Sequence, residues 1–352
     1  MAGGSIAEAD GRMRLCNSSE ALLGNASDMG HGDVERVLVP ILDALILVLG
    51  VSGHTVVMMI LCGRRRSGVR PVGQSRQSTM TGTGTDVLLL ALSAADLLLL
   101  FILPFHTVAI AMQRWPFGDA MCRLVSFLGS ACSSASAFTL ALLAASRYLT
   151  VVWPARAFSL LSPRRVSVAA VLLWVPACCL ATPQLVFRFV GPTRRQASGG
   201  LACYSFHSDQ FIYGLFHFLL AFLLPLVIIA VAYGSIYMFL GGRQRAGSAP
   251  QVERYHSKVT QTSAMLVLAF TLCWLPSYGL TLALLVDDRS GATGASPRFG
   301  PFSVFARLLA ASSMVINPIL YVLMSQKFRQ DLLRLFKRGG PRASVAVVVE
   351  AA

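Results

Sequence analysis

Apolar residues in this chain come in seven long blocks, about Val39 to Cys62, Val87 to Met112, Met121 to Val151, Val166 to Phe189, Phe211 to Leu240, Val259 to Val286 and Phe302 to Met324. Each reaches the ~20 residues that a helix needs to cross the hydrocarbon core of a bilayer, and polar stretches separate them. Lipid offers backbone groups no hydrogen-bond partner, so a spanning segment must be a helix or a strand of a closed barrel. These blocks are too long and too continuously apolar for barrel strands. The pattern predicts an all-α fold, a seven-transmembrane helix bundle, with spans 1 to 7 in chain order.

Composition agrees. Of 352 residues 55% are apolar and 13% charged, whereas a soluble domain carries roughly a quarter charged. The net charge of +14 does not point to nucleic acid, because the charges sit between apolar blocks without interleaved aromatics. It sets topology instead. With the amino terminus outside, the inner segments hold 19 of the 30 basic residues against four acids, and the outer segments hold 11 of each. The positive-inside rule thus predicts an extracellular amino terminus and a cytoplasmic carboxyl terminus. Met1 to Gly32 has no apolar run of the kind a cleavable signal needs, so span 1 is expected to act as its own insertion signal.

Two glycosylation sequons, at Asn17 and Asn25, lie in the predicted outer tail. Of eight cysteines, Cys122 at the outer end of span 3 and Cys203 before span 5 face the oxidising side at opposable places, and a disulfide between them is expected. Cys16 is then an unpaired outer thiol, and the five cysteines within spans read as small buried hydrophobes.

The sequence carries no metal-spaced ligand cluster, no phosphate-binding glycine loop after a strand and no nucleophile with a matching base, which argues against an enzyme. Transport normally needs several charges within the membrane and two related halves. Asp96 reads as the only charge deep in a span, apart from Arg307 near the outer mouth, and seven helices do not divide equally. A carboxylate in hydrocarbon costs at least ~2.5 kcal/mol and is normally paired or functional. Asp96 stands in Leu92-Ser93-Ala94-Ala95-Asp96; span 3 ends in Ser146-Arg147-Tyr148; span 4 carries Trp174 and span 5 Pro225 with Tyr233. Span 6 holds Cys273-Trp274-Leu275-Pro276 and span 7 Asn317-Pro318-Ile319-Leu320-Tyr321. The prolines remove backbone bonds and are expected to kink their helices.

With these motifs in this order, each in its own span, the chain resembles a rhodopsin-like, class A G-protein-coupled receptor from about Val37 to Arg338. The resemblance implies several roles. Cys122 and Cys203 match the family's disulfide and Trp274 its switch residue beneath the ligand pocket. Asp96, Ser136, Ser313 and Asn317 match an allosteric sodium site, with no other cofactor implied. Arg147, Tyr233 and Tyr321 match inner residues that rearrange to admit a heterotrimeric G protein. Gln326 to Arg338, with Phe328, Leu332, Leu335 and Phe336 on one face, resembles a short amphipathic eighth helix on the inner leaflet. The chain then divides into an extracellular glycosylated tail (1–38), the seven-helix domain (39–324), helix 8 (325–338) and a cytoplasmic tail (339–352) of a plasma-membrane protein.

The ligand class narrows by absence. Gly129 stands where amine receptors keep an Asp, and Ala311 where opsins keep the retinal Lys. The outer ends offer His106, Gln113, Arg188, His217, Tyr278 and Arg307, with Phe216 and Phe218, under a loop from Gly191 to Tyr204 long enough for a hairpin. A peptide ligand is the favoured reading, and the helix 6 and 7 sequences are similar to galanin, somatostatin and allatostatin receptors. Arg307 is expected to meet a ligand carboxylate or an acid such as Asp287 or Asp288, and His54 to hydrogen-bond Asp96.

Three features depart from the family. His54 replaces an Asn, the first inner loop from Gly63 to Thr85 is long and rich in Gly, Ser and Thr, and Ser146 replaces an Asp. The loop reads as disordered. His256, twenty residues before Pro276, cannot neutralise Arg147 from span 6 either. These departures leave open a decoy receptor that binds without signalling and, with less weight, a transporter or channel.

Overall fold

The computed structural model describes residues 36–64, 76–192, 201–205, 207–245, 250–286, 300–324 and 328–333. Asn17, Asn25, Cys16, Asp287, Asp288, Leu335 and Phe336 lie outside these residues, and the side chain of His256 outside the described side chains. Among the described residues seven helices are long and apolar enough to cross a membrane: Arg36–Arg64, Gly84–Ala111, Gly118–Val152, Pro163–Phe187, Ile212–Gly242, Ala264–Ala283 and Phe302–Val322. They are the seven predicted spans, and the chain is a multi-pass membrane protein.

Span 3 is enclosed by its neighbours. Ala131, Cys132, Ser133, Ser134, Ala135, Ser136 and Ala137 are all buried, because side chains this small let adjacent helix backbones approach closely. The same device joins spans 1 and 7, where a Cβ added at Gly53 would stand 2.9 Å from Cβ of Pro318.

Two spans depart from regular α-helix. Span 4 runs as Pro163–Leu172, Trp174–Ala181 and Pro183–Phe187, since Pro176 and Pro183 have no N–H to continue the ladder. It ends at Phe187, so Phe189, predicted to close this span, lies instead in strand β1, Arg188–Pro192. In span 5 the stretch Phe218–Leu223 forms a π-helical turn, and the Leu224 N–H donates to the Leu219 carbonyl five residues back.

The loop expected to be disordered from Gly63 to Thr85 is helical from Arg76 onward, in the helix Arg76–Ala111. Packing overrides the low propensity of its glycines. A Cβ at Gly84 would lie 3.4 Å from Val166, so the inner end of this helix seats closely on the start of span 4.

Outside the membrane, strands β1 and β2 (Leu201–Ser205) pair antiparallel with Val190 opposite Cys203. The expected Cys122–Cys203 disulfide is present and ties this hairpin to span 3. The Val190 N–H donates to Asp119 Oδ1 at 3.0 Å, a second tie. Between spans 2 and 3, Trp115 is buried against Phe117 and donates from Nε1 to the Gly118 carbonyl at 2.9 Å. Gly118 takes φ +76°, a conformation open to glycine. At the inner end residues 328–333 are helical, with Phe328 buried and Leu332 packed against the core; this is the described part of helix 8.

Gly53→Ala would press a methyl group onto the rigid Pro318 ring. Overpacking of this kind costs about 1–3 kcal/mol. The purified variant is expected to melt several degrees below the parent, whereas Gly234→Ala, inside a helix with nothing within 4 Å, should not lower the melting temperature, since Ala favours a helix over Gly.

Candidate functional site

The outer mouth is organised by an ion pair. Arg307 of span 7 donates from both terminal nitrogens to Oδ2 and Oδ1 of Asp43 in span 1, at 3.1 and 3.3 Å. The Thr107 hydroxyl of span 2 donates to the same Oδ2 at 2.6 Å. Asp43 is 1% exposed while the Arg307 side chain retains 28%. Among the described residues Arg307 meets Asp43 of span 1, an acid that the sequence reading did not single out; Asp287 and Asp288 lie outside them. Nearby, His106 lies within electrostatic reach of Arg307, Arg188 and Asp43 and 6.3 Å from the Trp115 ring. Gln113 adopts φ 52° and its side-chain amide donates to the Ile110 carbonyl, so it caps helix 2 from the turn.

Deeper, His217 Nε2 is 2.8 Å from Ser130 Oγ and 3.3 Å from Ser134 Oγ. The Tyr213 hydroxyl reaches the same Ser130 at 3.1 Å. The Tyr278 ring stacks on His217 at 5.9 Å and on Phe222 at 4.5 Å, and Trp274 stands 6.3 Å from Tyr278 and 5.9 Å from Phe270. This polar and aromatic wall joins spans 3, 5 and 6. Gly129 is half-buried on span 3, and a Cβ there would touch Ile102 at 3.4 Å. Phe218 packs on Tyr278, whereas Phe216 is 56% exposed and turned away from the wall.

At mid-depth Asn317 donates from Nδ2 to Asp96 Oδ2 at 2.8 Å. His54 Nε2 is 2.8 Å from the Met314 carbonyl and 3.5 Å from Asp96 Oδ2. A carbonyl only accepts, so the ring hydrogen is on Nε2. The stronger bond of His54 goes to the span 7 backbone, with Asp96 second. Ser93, one turn before Asp96, and Ser136 have buried hydroxyls without a hydrogen-bond partner. Ser313 is buried and bonds its own helix at Ala310.

At the inner face Arg147, 9% exposed, donates from a terminal nitrogen to the Thr85 hydroxyl at 2.9 Å. Ser146 turns back to the Leu143 carbonyl at 2.7 Å and does not pair with Arg147. Tyr148 accepts from Trp153 Nε1 at 3.2 Å. Tyr233 packs against the core, and the buried Tyr321 ring lies 6.4 Å from Phe328. Arg64 at the end of span 1 bridges Asp86 of span 2 at 3.3 Å and Asp331 of helix 8 at 2.7 Å, with Phe328 5.8 Å from its guanidinium.

Residues 74–321 match the 7 transmembrane receptor (rhodopsin family). The chain belongs to this family. The receptor is 30% identical to "Somatostatin receptor type 5" of Rattus norvegicus over 91% of this chain and 82% of that protein. It is 31% identical to "Galanin receptor type 3" of Homo sapiens over 90% and 83%, respectively, and 29% identical to "Galanin receptor type 2" of Mus musculus over 91% and 82%. The resemblance drawn from the motifs is therefore correct at the level of the family, which is one of receptors and not of enzymes.

Sequence reasoning missed Asp43, Thr107, Ser130, Ser134, Tyr213, Thr85 and the Arg64 bridge. For Asp43 a signal existed. Two opposite charges, each set in an apolar block near the same membrane face, are each costly alone and favourable together.

Removing Asp43 strands the Arg307 charge. Because Arg307 is partly solvated, the full penalty of ~3–5 kcal/mol for a broken buried pair is reduced, to about 2 kcal/mol. Asp43→Ala is expected to lower the melting temperature of the purified receptor, and Asp43→Ala with Arg307→Leu to recover most of it. Additive losses in this double-mutant cycle would mean that the pair contributes nothing.

Proposed function

We propose that this receptor stands in the plasma membrane with its amino terminus outside, binds a peptide at its outer mouth and passes that event to an intracellular heterotrimeric G protein. The observation that carries the reading is the pairing of two sites across one bundle. Outside are His106, Arg188 and Arg307, grouped within electrostatic reach of one another's charges and without an amine counterion at Gly129. Inside is Arg147, which donates to the Thr85 hydroxyl and has no acid directly before it in span 3. The names of the relatives, receptors for somatostatin and galanin, support a peptide, and the excess of inner Lys and Arg supports the orientation.

A ligand changes the inner face only if it binds two helix arrangements unequally. The aromatic wall supplies the link. His217 and Tyr278 face the ligand end and stack toward Trp274 and Phe270, so pressure on the wall reaches the part of span 6 on the inner side of Pro276. On the inner side the Thr85 bond must break before the Arg147 guanidinium can turn toward backbone carbonyls of an inserted helix.

The Asp96 cluster has a donor set suited to sodium: a carboxylate, the Asn317 amide and the unpartnered Ser93 and Ser136 hydroxyls. A bound sodium ion would add positive charge beside Asp96. Sodium is then expected to raise the melting temperature of the parent and not of Asp96→Asn. An equal response of the two proteins would reject an ion site at Asp96.

Nucleotide exchange on a panel of purified G proteins, with the reconstituted receptor, tests the whole reading. Ser146 turns to the Leu143 carbonyl and supplies no charge to hold Arg147 at rest, so measurable exchange without ligand is expected. Ser146→Asp should lower it and Thr85→Val raise it, the latter up to tenfold, which corresponds to ~1.4 kcal/mol. No exchange on any G protein, with or without ligand, would identify a decoy.

A further inference from the structure

The charges around the outer mouth do not cancel. Asp119 holds Arg123 at 2.6 Å and Asp43 holds Arg307 at 3.1 Å, so each of those guanidinium groups is matched. Arg188 is not. Among the described residues it forms no ion pair, and its hydrogen bond is from Nε to the neutral Gln184 Oε1 at 2.8 Å. Burial lowers its pKa from the ordinary arginine value, while the electrostatic effect of Tyr213 raises it. A guanidinium in such a place, with donors unused, is stabilised by an anion.

Its position is fixed by the hairpin. Arg188 opens β1, opposite Ser205 in the hairpin register, and the hairpin is fastened to span 3 by the Cys122–Cys203 disulfide and by the Val190 bond to Asp119. Side chains alternate along a strand, so Arg188 shares the face of Val190, which packs against the core with Trp115 and Cys122. His106 of span 2 and Tyr213 of span 5 both lie within its electrostatic reach. The group is thus held close to spans 2 and 5 before any ligand arrives.

We infer that Arg188 is the anion-accepting point of the pocket: its free N–H groups receive a carboxylate of the ligand, an Asp or Glu side chain or a free carboxyl terminus. Arg307, neutralised by Asp43, shapes the mouth without adding net charge. The deeper cluster of Ser130, Tyr213 and His217 offers neutral donors and acceptors to the rest of the ligand. This assignment rests on the peptide-receptor reading and adds to it the chemistry that the ligand must carry.

Affinity selection with mass spectrometry tests it, using the full chain in lipid nanodiscs and a synthetic random heptapeptide library made once as free acids and once as carboxyl-terminal amides. Retained peptides are expected to carry Asp or Glu at a constant place, which identifies a side-chain carboxylate, or to come from the free-acid library alone, which identifies the terminus. Arg188→Gln should reduce that acid enrichment at least tenfold, and Arg123→Gln should not alter it. Arg188→Lys, which keeps charge but loses the two-pronged donor geometry, should show an intermediate loss and serves if the Gln variant does not fold. Retained peptides without acid preference, or the same preference in Arg188→Gln, would overturn the role of Arg188 while leaving the peptide receptor intact. If a folded parent retains no peptide from either library, the peptide reading itself fails, and this assignment with it.

Discussion

A carboxylate within a bilayer has no water to solvate it and must be met by donors from another helix; three acids of this receptor impose that demand at three depths. Asp43 near the outer side draws in Arg307 and Thr107. Asp96 at mid-depth draws in Asn317 and, more weakly, His54. Asp86 at the inner end is met by Arg64, which also reaches Asp331. The first two link spans 1, 2 and 7, and the third links spans 1 and 2 to helix 8. One side of the bundle is therefore fastened from one end to the other by directional polar contacts.

The other side is held differently. Spans 5 and 6 meet through rings, with Tyr278 between His217 and Phe222 and with Trp274 beside Phe270, and the hydrogen bonds of Tyr213 and His217 to Ser130 and Ser134 join span 5 to span 3 at its outer half. Stacked rings slide over a few tenths of an ångström at small cost, whereas a bidentate ion pair does not. The division sets a fixed wall against an adjustable one, and an adjustable wall that reaches from the ligand end to the inner half of span 6 is what signal transfer requires.

Much of this was legible in the chain. Block length and continuity gave the seven spans, because hydrocarbon thickness is a one-dimensional constraint that a sequence records directly. The central residues were legible as a set, since Asp96, Trp274 and Asn317 each stand in a recognisable motif. Pairings were harder. Asp43 and Arg307 lie 264 residues apart, and while Arg307 was legible as a charge in need of a partner, Asp43 was counted only among the outer acids, where solvent would satisfy it. Ser130 and Ser134 looked like helix filler, as small hydroxyl residues in a tightly packed span usually are; only the rotation of span 5 shows that they meet His217. The inner extension of helix 2 was hidden because Gly and Thr lower helix propensity, while the contact of Gly84 with Val166 that favours it is tertiary.

The π-helical turn at Phe218–Leu223 has a consequence for how the pocket is composed. A wide turn carries one residue more than the α-helix it replaces, and each residue of an α-helix advances the azimuth by about 100°. Span 5 is thus two helices out of phase, the outer presenting Tyr213 and His217 to span 3, the inner presenting Ile229, Ala232 and Ile236 to the core. Losing one residue from the turn would rotate the outer segment alone and swing its imidazole toward lipid. The length of this one stretch, independent of which residues fill it, selects the side chains that a ligand meets.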